Sequence, residues 1–287
     1  MGALLSRLFG MIAPDEIRTG SCLVVMGSEG RGEQVVRTDQ DNGLILAGPV
    51  DKATLDAFRD DFSGALASFG FPPCPGNVMV RNPVWSKPLS DYLADFRRWV
   101  VLPDEAAHMN VAIFYDARAV AGDAELLTKA KAVLIDLIRG EQAYLAHFAR
   151  AVDAFTTPIG LFNNLITSEG NGDSLDLKKG GIFPIVHGIR SLAIEHGLLE
   201  TATDKRIAQL REIGVLKADF ARELSQTFQF LLMLRLDGQL AASAGTSGTL
   251  VRPSSLSSME RDLLRDAFQV VKQFRELIRH HFKFGMF

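Results

Sequence analysis

Residues 27–46 read GSEGRGEQVVRTDQDNGLIL. A glycine-serine turn opens the stretch, a short polar segment follows, and Asp39 and Asp41 stand directly ahead of an apolar run. On an extended chain, residues at i and i+2 point to one side of the sheet, so both carboxylates can meet at one centre. Two such charges repel unless a cation lies between them. Magnesium suits the pair, because it takes oxygen ligands and binds through one or two carboxylates plus substrate phosphates. The Gly27-Ser28 turn suits the phosphates: glycine lets the backbone come close, and the start of a following helix presents free N–H groups to an anion. Arg31, one turn into that predicted helix, adds a guanidinium able to grip phosphate at two points.

The flanking pattern predicts the frame around this motif. CLVVM (22–26) and GLILA (43–47) read as buried strands, with room for about two helical turns over 29–36. Leu55, Phe58, Phe62, Leu66 and Phe69 step by three and four, predicting a helix over 51–69 that Gly70 stops. The turn-rich segment PPCPGNVMVRNPVW holds one short predicted strand, 77–80, and Trp85 there is a candidate for lining a cleft or packing a core. A helix is expected over 89–101. MNVAIFY (109–115) reads as a third strand, which places Asp116 at a strand end as a third carboxylate, usual where two metals clamp an in-line displacement at phosphorus. A helix over 123–138 follows, and Gly140 marks the expected boundary.

Beyond Gly140 the period is helical almost throughout. Tyr144, Phe148, Val152 and Phe155 form one stripe; Phe220, Leu224, Phe228 and Leu231 another; Leu264, Phe268, Val271, Phe274, Ile278 and Phe282 a third. Residues 156–181 read as a loop or small hairpin, and the Gly/Ser-rich 242–255 as a link. The fold class expected is therefore an α/β domain with a small mixed sheet flanked by helices, residues 1–140, followed by an all-α helical bundle domain, residues 141–287.

Composition excludes several other classes. Hydrophobic residues make 47% and charged residues 23% of the chain, a globular profile, and the net charge of −3 offers no broad positive field for nucleic acid or an anionic membrane. Cys22 and Cys74 lack metal or redox spacing and read as reduced thiols. No apolar run approaches the ~20 residues of a membrane span, and the first residues read as an amphipathic lead-in helix, so a cytoplasmic protein is expected.

In the second half, Lys178 and Lys179 precede a helix on which His187 and Arg190 share a face. This is either a solvated basic face or a patch that closes over triphosphate or acceptor, and the neighbouring Gly180-Gly181 favours the patch. Arg275 and His280 fit a loose R-x4-H spacing found in some helical ribonucleases, although basic residues near a helix C-terminus are already explained by the helix dipole.

GSEGRGEQVVRTDQDNGLIL, with PCPGNVMVRNPVW and IFYDAR further on, resembles the bacterial signal-transduction nucleotidyltransferases of the DNA polymerase beta type superfamily, relatives of the PII-protein uridylyltransferase. DLKKGGIFPIVHGIRSLAIEHG and the helices after it resemble the helical substrate-binding domain that accompanies them. The resemblance implies that Gly27 and Ser28 hold phosphates, that Asp39, Asp41 and Asp116 are catalytic metal ligands for Mg²⁺ or Mn²⁺, and that a nucleoside triphosphate is the substrate. Arg31, Lys178 and Arg190 are added as nucleotide-binding candidates. The expected reaction transfers a nucleoside monophosphate to a hydroxyl of a protein or small-molecule acceptor and releases pyrophosphate. Relatives often carry regulatory domains upstream, so such a domain or a partner chain is a further expected partner. The alternative is a nucleotide-binding regulatory module without turnover. A template-independent polymerase is disfavoured by the acidic balance.

Overall fold

The computed structural model describes residues 2–34, 39–160, 164–166, 173–241 and 250–286. The chain divides into two compact units, Met1–Arg139 and Gly140–Phe287.

The first unit runs α1 (Gly2–Ile12), α2 (Asp15–Thr19), β1 (Ser21–Val25), α3 (Gly27–Gly30), β2 (Asn42–Leu46), α4 (Lys52–Ser68), β3 (Ser86–Pro88), α5 (Leu89–Val101), α6 (Glu105–Tyr115), β4 (Arg118–Gly122) and α7 (Ala124–Ile138). The strands form one mixed sheet in the order β3-β2-β1-β4, antiparallel except for the parallel β2–β3 pair. Pleating sends Leu23 and Val25 of β1 and Leu44 and Leu46 of β2 to one face. There they pack with Leu5, Leu8 and Phe9 of α1 and Phe58, Phe62 and Leu66 of α4. Helices α5 and α7 cover the sheet from the opposite side. Asp51 caps α4, its carboxylate accepting from Thr54 N at 3.0 Å, which fixes the helix start one residue into the expected span.

Two expected strands are absent. Residues 109–115 belong to α6, because Asp104 caps the chain upstream, accepting from Ala107 N at 2.6 Å. Ala107, Val111, Phe114 and Tyr115 then turn inward with helical spacing. A short apolar run is compatible with either period, and the cap outside it decided. The strand beside β1 at this edge is instead the weakly patterned RAVAG of β4, beyond Asp116. Residues 77–80 form no strand and are irregular, with Asn77 in the left-handed region at φ 54°. Trp85 is buried, 6.2 Å from Trp99 between ring centroids, beside a cluster of Tyr92, Phe96 and Phe114. It is core rather than cleft lining.

The second unit is helical: α8 (Gln142–Ala149), α9 (Phe183–Glu195), α10 (Thr203–Glu212), α11 (Ala218–Ala241) and α12 (Ser258–His281). A two-residue ladder, β5 (Leu175–Asp176) with β6 (Leu250–Val251), departs from the all-α character expected of this unit. Helix α9 is buried from Pro184 to Ile194 and packs against α8, α10 and α12, so it is the axis of this unit. Ser257 and Glu260 form a capping box at the start of α12. An isolated bridge, Ile159 to Leu165, lies in the region expected as a loop or small hairpin; residues 161–163, 167–172 and 242–249 lie outside the described residues.

Candidate active site

The β1–β2 register pairs Val25 with Asn42, and one step further Met26 N donates to Asp41 O at 2.9 Å. That extra rung holds the turn at Gly27 against Asp41. Within the run Asp39-Gln40-Asp41-Asn42 the side chains alternate. Gln40 is buried and donates through Nε2 to Phe71 O at 3.0 Å and Ser63 O at 3.3 Å. Asn42 is buried and accepts from Val80 N at 2.8 Å. With Gln40 and Asn42 clamped inward, Asp39 and Asp41 are left together on the half-buried side. The sequence leaves the roles of Gln40 and Asn42 open, and the structure makes both of them anchors for the acid pair.

Gly27 closes over Asp41. Its φ is +58°, a conformation that side chains disfavour, and a Cβ there would stand 2.5 Å from Asp41 Oδ2. Only glycine allows the turn and the carboxylate to share this space. Helix α3 after it is a single turn, Gly27–Gly30, shorter than the expected two turns, because Gly30 and the left-handed Gly32 end it. Ser28 lies in that turn and is half-buried.

The third ligand group beside the acids is one that sequence spacing did not reveal. Cys74 Sγ and carboxylate oxygens of Asp39 and Asp41 all lie within 4.8 Å of one another. Burial first, opposed by the Val78 backbone N–H and reinforced by the Asp41 carboxylate, pushes the thiol's pKa up to about 11. Glu29 also approaches, lining a small cavity with Asp39, Gln40 and Asp41. Its carboxyl is held above its ordinary range, by desolvation first and by Asp41 in addition, with Arg118 opposing. Two carboxylates and a sulfur at this separation fit a divalent cation.

Asp116 is placed differently from Asp39 and Asp41. It follows α6, is fully buried, and accepts from Arg31 Nη1 at 2.8 Å; among the described residues it is not a member of the three-ligand group. Arg31 sits at the C-cap of α3, where its Nε also donates to Glu33 at 2.6 Å. Burial lowers the Arg31 pKa and the two acids raise it further, so the guanidinium is held in its charged form. Gly30 permits this arrangement, since the carbonyl of Asp116 occupies the space a Cβ would take.

In the helical unit Lys178 is exposed and opens a π-helical turn, Lys178–Ile182, ahead of α9. Arg190 is buried and bonds His187 Nδ1 at 3.0 Å, while His187 Nε2 bonds the Phe148 carbonyl at 2.7 Å. A carbonyl only accepts and a guanidinium only donates, so Nε2 carries the ring proton and Nδ1 accepts. The expected basic face is thus divided into an exposed lysine and an interior arginine. Arg275 likewise points inward, to Asp153 at 3.0 Å and Thr157 at 2.9 Å, whereas His280 is exposed. The two residues of the R-x4-H spacing occupy different faces.

A small mixed sheet flanked by helices, with a glycine turn seated on an Asp-x-Asp pair, is the frame of a nucleotidyltransferase. Residues 1–106 match the family model described as Putative nucleotidyltransferase DUF294, and residues 142–282 match its companion, described as Putative nucleotidyltransferase substrate binding domain. The chain belongs to this nucleotidyltransferase family. No match was found among curated proteins.

Proposed function

We propose that the protein transfers a nucleoside monophosphate from a nucleoside triphosphate to an acceptor hydroxyl, with release of pyrophosphate. The observation that supports this best is the seating of Gly27 over Asp41, with Asp39 on the same side. A sensor of nucleotide needs a phosphate-binding turn but has no need to hold two acids against it. Asp39 and Asp41 would hold Mg²⁺ or Mn²⁺, which supplies charge neutralisation at the phosphates and makes the attacking hydroxyl easier to deprotonate. The Gly27-Ser28 turn receives the phosphates. Asp116 acts through Arg31, fixing the base of the turn from beneath. Lys178 and Arg190 are assigned to the nucleotide or acceptor from the helical unit, Lys178 as a direct contact and Arg190 as the residue that orients His187 and α9. The acceptor is a protein or a small molecule bearing a hydroxyl.

The test uses triphosphates labelled at the α- or the γ-phosphate, incubated with the purified protein and Mg²⁺ or Mn²⁺, alone and with cell extract. The α label is expected to move to an acceptor and the γ label to leave as pyrophosphate. Tight nucleotide binding with no label moved under any of these conditions would contradict transfer and favour a regulatory binding module.

A further inference from the structure

Cys74 reaches the acid pair by a route that the fold enforces. The turn around it is closed by Asn77 N donating to Cys74 O at 2.9 Å, with Asn77 itself left-handed. Cys74 N is directed to Met79 S at 3.3 Å. Beyond the turn, Asn42 N donates to Val78 O at 3.1 Å and Asn42 Oδ1 accepts from Val80 N at 2.8 Å. Asn42 directly follows Asp41, so the clamp that orients the acids also delivers the sulfur to them.

Magnesium does not take sulfur ligands, and a site meant for it alone has no use for a thiol within ligand distance. Zinc and cadmium bind thiolate and carboxylate together. We propose that Cys74 completes, with Asp39 and Asp41, a site for a thiophilic divalent cation of the zinc class, which competes with the magnesium-class cation for the same two carboxylates. On binding, the thiol proton leaves to solvent as the sulfur–metal bond forms, so charge and protons balance without any oxidant or reductant. The sulfur is a switch of cation preference: idle when a hard ion occupies the acids, engaged when a thiophilic one does.

The inference rests on the assignment of Asp39 and Asp41 as metal ligands, and its test separates the two. Cd²⁺ is titrated into the full chain while the sulfur-to-metal charge-transfer absorption is followed, and Mn²⁺ binding is measured separately by spin resonance. Wild type should show the absorption saturating at one equivalent. Cys74→Ser should lose it and bind Cd²⁺ at least ~10-fold more weakly while Mn²⁺ affinity stays within about 2-fold. Cys22, buried within β1, remains as an internal control. Mn²⁺ binding without a Cd²⁺ absorption, or an absorption that survives Cys74→Ser, overturns the Cys74 proposal alone. Failure of both ions to bind wild type overturns the metal assignment with it.

Discussion

Asp41 lies beneath Gly27, with its Oδ2 standing 2.5 Å from the place a Cβ on Gly27 would occupy and the glycine at φ +58°. Any side chain here must shift the carboxylate or unwind the turn. Gly27→Ala should therefore cost about 1–2 kcal/mol from backbone conformation alone and displace Asp41 as well. Mn²⁺ affinity should fall by at least ~10-fold, and triphosphate affinity with it. Ser28→Ala, which removes one hydroxyl and adds no atom, should have the smaller effect. Calorimetric titration of both variants checks the order, and equal affinities would show that the phosphates bind elsewhere.

The Arg31–Asp116 pair predicts a stability effect of a different kind. Its side chains are 12% and 1% exposed, so removing either charge takes a close ionic partner from the other in the interior. Asp116→Asn or Arg31→Met should destabilise the first unit by about 3–5 kcal/mol. Arg31→Lys should recover only part of this, since an ammonium cannot serve Glu33 and Asp116 with one planar fork. Denaturant melts decide it; a change below about 0.5 kcal/mol in either single variant would mean that the pair is not a structural anchor.

Lys178 and Arg190 should separate in experiment because the structure separates them. Arg190→Ala removes the buried 3.0 Å hydrogen bond to His187 Nδ1 and should cost about 1–3 kcal/mol in stability. Lys178→Ala, at an exposed position, should leave the melt within about 0.5 kcal/mol. If Lys178 contacts triphosphate or acceptor, its removal lowers single-turnover transfer by ~10-fold, about 1.4 kcal/mol. An unchanged rate with an unchanged melt removes Lys178 from the reaction.

Asp153 gives the second unit an acid-sensitive contact. Burial raises its pKa, but hydrogen bonds and charge from Arg279 and Arg275 outweigh this, and the group is held below its ordinary 3.8. A depressed carboxylate contributes stability in full above its unfolded value and loses it as pH falls through the folded one. Asp153→Asn should therefore lower the melting temperature at neutral pH, and the difference from wild type should shrink below pH 3.8. Parallel melts across this range check the sign; a gap that widens on acidification contradicts it.

The legible parts of this fold were those specified by local pattern. Strands β1 and β2 are short apolar runs bounded by turn residues, and α4, α5 and α7 carry helical stripes with stops at Gly70 and Gly140. Asp39 and Asp41 were legible for the same reason, since a two-residue period needs no knowledge of the tertiary fold. Residues 109–115 were not, because their apolar run suits either period and the Asp104 cap lies outside it. Cys74 and Glu29 reach the acids through space, and Arg31 meets Asp116 across 85 positions of sequence. No spacing rule encodes such contacts. Arg190 was grouped with Lys178 in one basic patch because a buried arginine paired to a histidine looks, in sequence, like any basic pair at helical spacing.

The most direct test of the account is single-turnover transfer of α-labelled phosphate by wild type and by Asp39→Asn and Asp41→Asn, with thermal melts on the same preparations. Each substitution removes a charge and almost no volume, so the melts should agree with wild type to within a few degrees. Transfer by either variant should fall by at least ~10³-fold, about 4 kcal/mol of transition-state stabilisation. Transfer within about 10-fold of wild type by either well-folded variant would contradict the claim that this acid pair carries the reaction.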